Sequence, residues 1–424
     1  MQAEHSARSR FRKLYAKETE TRSEDFYYLC RRIPFILHEM LLISIITLGL
    51  AAIVADWLHC RRRGPGAPKS RLYLIWIVVT DLLPFAVLAL GVLSPDNTSP
   101  VIMASMWMVW AWMAATLPRL VYYTFNFFGW RRTGMLLATV LAALLVIGAT
   151  AGRTRLRVSH TEVCSAKLPE AFDGARIVQI SDLHLGTIVR PERELTRLAD
   201  RINALQPDWV VFTGDLVNIR AEELDERAAR LLGRIKAPVY SVTGNHDVGA
   251  YIKDSLHHPM AENLREVIAR QRAMGWNLLD DETRYLHRGR DSISLTGLSF
   301  DPALRLLRHK RDLPATGLER AFAGVPTGLY NLTLVHVPQL RSKITAAGYG
   351  DLVLSGHVHA MQCKVRPWGR GWSPAALLYR EWSGRYEDSD GKVLYINDGI
   401  GCVGYPMRLG ARPEITLITL KRCE

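Results

Sequence analysis

Eight polar residues stand where short apolar runs stop. The run ending Ile180 leads into Ser181-Asp182-Leu183-His184, and the one ending Phe212 into Thr213-Gly214-Asp215. The run ending Val242 leads into Thr243-Gly244-Asn245-His246-Asp247. Val335 is followed by His336, and Leu354 by Ser355-Gly356-His357-Val358-His359. Five run ends thus deliver Asp182, Asp215, Asn245 and the histidines 184, 246, 336, 357 and 359, most of them beside a glycine that lets the backbone turn tightly. Imidazole suits Zn, Fe, Ni and Cu, whereas carboxylate and amide oxygens suit harder ions such as Mn. So large a mixed set exceeds what one ion needs. Two ions ~3.5–4 Å apart can share a carboxylate and hold the attacking and leaving oxygens of a phosphoryl displacement. A single histidine at a strand end is usually structural, but five together beside other polar groups call for a ligand.

The elements that must position these residues are legible as an alternation. Strands are expected at Arg176–Ile180, Asp208–Phe212, Val239–Val242, Ser292–Leu298, Leu332–Val335, Asp351–Leu354, Val393–Ile396 and Glu414–Leu420. Helices are expected at Pro191–Leu205, with Pro191 suited to a first turn, at Glu222–Ile235 and near Glu262–Met274. Strands alternating with helices argue an α/β fold with parallel pairing, and ligands in such sheets sit beyond the strands' carboxyl ends. The ligand-type residues fall at those ends.

In order and spacing, Asp182-x-His184, Gly214-Asp215, Gly244-Asn245-His246-Asp247, His336 and Gly356-His357-x-His359 resemble the calcineurin-like metallophosphoesterases. The resemblance covers roughly residues 174–422. The stretches Tyr395–Gly401, Pro406–Gly410 and Pro413–Leu417 are similar to the C-terminus of the family's membrane-attached bacterial branch. The resemblance implies a four-layer α/β/β/α sandwich and two divalent ions, whether Mn, Fe or Zn. Asp182, His184 and His359 would hold the first ion and Asn245, His336 and His357 the second, with Asp215 bridging. A hydroxide shared by the ions would attack phosphorus in line. His246 would protonate the leaving oxygen or hold the phosphate with Asn245; a role as metal ligand competes. One departure stands out. Where the branch often carries Gly-Gly after the last histidine, this chain has Ala360-Met361 before Gln362.

The front of the chain is of another kind. Of the 424 residues, 1–157 carry 19 Lys and Arg against 9 Asp and Glu, while 158–424 carry 35 against 32. The chain divides there into a tail with a helical transmembrane domain (1–157) and a catalytic domain (158–424). A near-neutral second half argues against nucleic acid as partner. The basic front fits anionic lipid headgroups. Apolar stretches at Pro34–Leu58, Leu72–Leu93, Val101–Phe128 and Gly134–Ala151 suggest about four spans, given the ~20 residues a helix needs to cross. Arg61, Arg62, Arg63, Lys69 and Arg71 mark one connecting loop and Arg131-Arg132 another, while the loop Ser94–Pro100 has no positive charge. By the positive-inside rule the basic loops face the cytoplasm, which puts the catalytic domain outside a bacterial cytoplasmic membrane; the basic N-terminal tail and Arg153, Arg155 and Arg157 argue for the cytoplasmic face. Asp81 and Arg119 lie deep in the spans and are expected to pair. The six cysteines (30, 60, 164, 363, 402, 423) contain no CxxC, so a thiolate zinc site is not expected; disulfides are open if the domain is exported.

Three further stretches bear on the substrate. Tyr251–Arg284 is a lid or a plain crossover helix. Arg305–Arg311 is a basic grip or a solvated face. Trp368, Trp372 and Trp382 are interfacial or core. The reading that unites both halves is a membrane-bound phosphoesterase acting on a phosphodiester or diphosphate of a lipid or lipid-linked substrate. The alternatives are a nucleotide or cyclic-nucleotide phosphodiesterase merely tethered to the bilayer, and a non-catalytic phosphate-binding sensor or transporter.

Overall fold

The computed structural model describes residues 46–62, 71–306, 313–314, 317–366 and 371–423. Residues 46–62 form helix α1. It is followed by α2 (Arg71–Leu93), α3 (Ser99–Phe127) and α4 (Arg131–Ile147), which runs on through a π-helical turn, Gly148–Gly152. Among the described residues three helices are long and apolar enough to cross a membrane: α2, α3 and Arg131–Gly152. This is a membrane protein. The expected span Pro34–Leu58 lies mostly outside the described residues, and its remainder is part of α1. Leucines and valines exposed all round α2 and α4 are what a lipid-facing helix presents.

The deep polar residues of the spans satisfy one another. Arg119 Nη2 lies 2.8 Å from Asp56 Oδ2 and 2.6 Å from Asp81 Oδ1, and Nη1 donates to Thr80 Oγ1 at 2.9 Å. Tyr123 OH donates to Asp56 Oδ1 at 2.6 Å. The expected Asp81–Arg119 pair is therefore a triad that ties α1, α2 and α3 together. Buried ions at membrane depth persist only when paired in this way.

The rest of the chain builds two six-stranded sheets. The first has the order β1 (Arg157–Ser165), β12 (Glu414–Arg422), β2 (Arg176–Ile180), β3 (Trp209–Phe212), β4 (Val239–Ser241), β5 (Asn277–Leu278). The second has β10 (Gly384–Glu387), β11 (Val393–Ile396), β9 (Leu352–Ser355), β8 (Asn331–Val335), β7 (Asp291–Leu298), β6 (Glu282–Arg288). Pairings β2–β3–β4 and β7–β8–β9–β11 are parallel, so their carboxyl ends share an edge. Alternation within strands separates the layers. Ile177 and Val211 point between the sheets and meet Leu295, Leu334 and Leu354. Val178, Val210 and Phe212 point outward, onto α5 (Pro191–Ala204), α6 (Glu226–Leu232) and α7 (Met260–Ala273). Val335, Val353 and Ile396 face the opposite way, under α8 (Leu318–Ala321) and α9 (Arg341–Ala346), against Ala321 and Ile344. This is the α/β/β/α sandwich.

Some expectations change. The helix expected at Glu222–Ile235 is a short turn, Ala221–Glu223, and then α6, whose N-cap Asp225 accepts from Ala228 N. Trp382 is core, whereas Trp372 is exposed; Trp368 and most of the basic run lie outside the described residues. Four strands had no apolar run to announce them: β1, β5, β6 and β10. Cys164 and Cys423, at the ends of the paired strands β1 and β12, are disulfide-bonded.

The edge of the sandwich that carries the carboxyl ends is seated on the membrane helices. Asn97, in the α2–α3 loop, donates to Tyr251 O at 2.6 Å and accepts from Lys253 N at 2.9 Å. Lys253 Nζ donates to Gly91 O, at the end of α2, at 2.9 Å. Arg220 pairs with Asp96, and Ser99 Oγ donates to Glu223 Oε1 at 2.9 Å. On the other side Met407 packs on Leu145 and Ala149, and Arg408 N donates to Gly148 O at 3.1 Å. A Cβ at Gly152 would overlap Arg408 O, so only glycine permits this approach.

Candidate metal centre

The loops that leave β2, β3, β4, β8 and β9 bring all eight sequence-selected residues together. Asp182, His184 and His359 offer ligand atoms within 4.8 Å of one another, and so do Asp215, His336 and His357. Asp182 Oδ1 is 3.1 Å from His359 Nε2, which is 3.2 Å from His184 Nε2. Asp215 Oδ2 lies between the groups, 3.7 Å from His184 Nε2 and 3.1 Å from His336 Nε2. Asn245 Oδ1 is 3.0 Å from His336 Nε2. His246 stands edge-on to His184, 4.6 Å between ring centres.

The backbone is bent to achieve this. Asp182, His184, Asp215, His357 and His359 all have positive φ, between 45° and 72°. Each costs an L-residue about 1–2 kcal/mol. Such strain gathers where function demands a particular side-chain direction. Ala360 and Met361 continue the left-handed turn at φ 48° and 43°. Glycine would sit there without strain, which accounts physically for the Gly-Gly of similar sequences. Two glycines are required by close approach rather than by φ: a Cβ on Gly244 would overlap Asp215 Oδ1, and one on Gly356 would overlap Asp182 Oδ2.

A second layer of contacts fixes the ligand atoms. His336 Nδ1 donates to Thr213 O at 2.8 Å, which turns Nε2 toward the site. His246 Nδ1 donates to Asn218 O at 2.6 Å, turning Nε2 inward, and Tyr251 stacks on its ring at 4.2 Å. Tyr251 OH accepts from Asn245 Nδ2 at 2.9 Å, so Oδ1 faces His336. Asp247 is a brace: Oδ2 accepts from Asp215 N and Gly244 N, Oδ1 from Leu216 N and Val217 N. Arg408, fully buried, donates to Asp398 O, Gly401 O and Ala411 O and reaches His359 Nδ1 at 3.1 Å. A guanidinium only donates, so the His359 proton sits on Nε2, toward Asp182. Of these supports, Asp247, Tyr251 and Arg408 lie in stretches that stood out in the sequence, but nothing local gave their roles. Asn218 carried no signal at all, because it acts through its backbone.

The electrostatics ask for positive charge. Burial would raise both carboxyls, yet His359 and His336 hold Asp182 below the usual carboxylate range, and His336 and His246 hold Asp215 far below it. Burial lowers His336, and the adjacent Asp215 overrides this and pushes it up to about 9. Burial, with His246 beside it, keeps His184 well below an ordinary histidine. Two buried ionised carboxylates among inward-turned imidazoles are a donor set of mixed N and O that divalent ions fit.

Residues 175–361 match the calcineurin-like phosphoesterase family. A zebrafish protein, "Transmembrane protein with metallophosphoesterase domain", is 32% identical over 69% of this chain, which spans 63% of that relative's length. "Uncharacterized metallophosphoesterase YkuE" of Bacillus subtilis is 29% identical over 62% of this chain and 84% of its own. "UDP-2,3-diacylglucosamine pyrophosphatase LpxG" of Chlamydia muridarum is 35% identical over 59% of this chain and 86% of its own. The chain belongs to the calcineurin-like phosphoesterases. That family is one of metal-dependent phosphoester hydrolases. The clustered aspartates and histidines are of the kind that forms the family's metal centre.

Proposed function

We propose that this chain is a membrane-embedded, two-metal phosphoesterase that cleaves a phosphodiester or diphosphate bond of a lipid or lipid-linked substrate. The observation that carries the reading is the seating of the ligand-bearing edge on the membrane helices, through Asn97–Tyr251, Ser99–Glu223 and Gly148–Arg408. A soluble substrate gives no reason for the site to face the bilayer. An enzyme held where its substrate is dissolved works at a raised effective concentration. The chlamydial relative, named for a diacylated substrate with a pyrophosphate bond, supports the same class.

Asp182, His184 and His359 would hold one divalent ion, Asn245, His336 and His357 the other, and Asp215 both. When bound, the ions would supply the charge that activates water for in-line attack and that offsets the phosphoryl oxygens. The chain's own residues do the rest. Asp247 holds the Asp215 loop rigid through four N–H groups. Thr213 O and Asn218 O fix the tautomers of His336 and His246. His246 presents Nε2 to the site, where, once a proton taken from solvent has made the ring an imidazolium, it would pass that proton to the leaving oxygen while Nδ1–H stays on Asn218 O. Arg408 Nη2 donates to Gly401 O and so stays anchored beside His359.

We place the catalytic domain outside the cytoplasm. Arg61, Arg62, Arg71, Arg131 and Arg132 stand at the helix ends remote from it, and basic ends stay in the cytoplasm. The Cys164–Cys423 bond suits an oxidising compartment. Alkaline phosphatase fused at the C-terminus should be active if this is right, and inactive if the substrate is a cytoplasmic nucleotide-linked lipid.

The full-length protein, loaded with Mn, Zn or Fe in nanodiscs, should be assayed on bis-p-nitrophenyl phosphate beside phospholipids and lipid-linked diphosphates, with Asp215→Ala as blank. Turnover of a lipid well above that of the soluble diester supports the reading. Soluble turnover with no lipid cleaved shifts it to a tethered nucleotide phosphodiesterase. Two bound ions with no turnover of any substrate would point to a phosphate-binding sensor.

A further inference from the structure

One segment of the membrane-facing edge is uncovered. After the last ligand block the chain forms a bridge, Val365 to Trp372, with backbone bonds of 2.9 and 2.8 Å, and then the helical turn Pro374–Leu377. Both are anchored beside the metal centre. Ser373 Oγ donates to Ala360 O at 2.7 Å, and buried Tyr379 places its OH 3.5 Å from His357 Nε2. Yet Val365 is 51% exposed, Trp372 52%, Leu377 78% and Leu378 52%. Arg366 and Arg380 flank them, both exposed.

We propose that Val365, Trp372, Leu377 and Leu378 lie in the bilayer's interfacial layer and set the mouth of the metal centre at headgroup depth. The proposal deepens the reading of a membrane-facing phosphoesterase and rests on it. The occupant follows from continuity with the membrane interface. Cys363, just before the patch, is bridged to Leu409; Arg408 and Met407 next to it rest on Gly148, Leu145 and Ala149 of the membrane helix. The loops after β2, β3, β4 and β11 along this edge meet helices or their connecting loop. The loop after β9 carries exposed apolar groups at this edge, where lipid takes the helices' place. Leu256, 89% exposed, stands three residues from Lys253, which is bonded to the end of α2, and is another exposed apolar group beside the membrane helices. An apolar patch rimmed by polar groups marks an interaction site, and a tryptophan with flanking arginines suits a headgroup layer.

The test is photo-crosslinking in the full-length protein. Benzoylphenylalanine is placed at 377 or 378 in nanodiscs of phosphatidylethanolamine and phosphatidylglycerol. Leu136, 65% exposed on α4, is the lipid-facing control and exposed Asp390 the aqueous one. Lipid adducts at 377 and 378 comparable to those at 136, and none at 390, are expected. Adducts at 136 alone, or a crosslink from 377 to a second copy of the chain, would overturn the proposal. This readout needs no turnover, so it stands apart from the enzymatic reading. In the active protein, Leu377→Asp with Leu378→Asp should raise KM for a bilayer substrate about tenfold. Turnover of bis-p-nitrophenyl phosphate should stay unchanged. A loss on both substrates alike would count against a docking role.

Discussion

Consider the loss of one side chain in the α2–α3 loop, Asn97→Ala. The residue lies outside the catalytic domain and touches no ligand, yet it clamps the segment that steadies His246. Its amide donates to Tyr251 O at 2.6 Å and accepts from Lys253 N at 2.9 Å. The Tyr251 ring stacks on His246 and its hydroxyl accepts from Asn245 Nδ2. Each lost bond is worth about 1 kcal/mol net, so the clamp contributes about 2 kcal/mol to holding Tyr251 in place. If all of that is needed to align His246, kcat on a soluble diester falls by at most about 30-fold, at about 1.4 kcal/mol per factor of ten. KM and the content of two metals should change little. Tyr251→Phe keeps the stacking and removes one bond, so it should lose about fivefold and loosen the second metal through Asn245. The assay is steady-state hydrolysis in nanodiscs with metal analysis of the same samples. A kcat within twofold of the parent, in a protein that retains both metals, would refute the coupling of membrane loop to catalytic histidine. So would a loss confined to KM.

Other outcomes follow from the supports around the site. Asp247→Asn turns an amide toward two N–H donors and should cost about 3–5 kcal/mol, seen as a lowered melting temperature in detergent. Gly244→Ala forces Asp215 Oδ1 aside, so elemental analysis should find the bridged pair of ions lost and hydrolysis down more than about 100-fold, with the fold retained. Lys364→Met leaves Asp398 charged and buried without its partner, at a cost of about 3–5 kcal/mol; adding Asp398→Asn should recover most of that on the same thermal scale.

What the sequence determined by itself was local. Strands such as Arg176–Ile180 and Val393–Ile396 were legible because short apolar runs bounded by polar turns carry a strand signal. The eight residues of the site were legible because each follows such a run directly. The membrane helices were legible because lipid demands long uninterrupted apolar segments. Tertiary structure decided everything that depends on two distant stretches meeting. β1 carries His160 and Glu162 among its residues and forms only because β12 supplies a partner 257 residues further along the chain. Asp56 joins Arg119 and Asp81 because three helices pack at that depth. Arg408 reaches His359, and Asp247 spans four amides, through contacts that no pattern within a strand or helix encodes. The seating of the catalytic edge on the membrane helices is of the same kind. It rests on single side chains such as Asn97 and on the bare backbone of Gly152, whose chemistry has meaning only once the fold has brought their partners within reach.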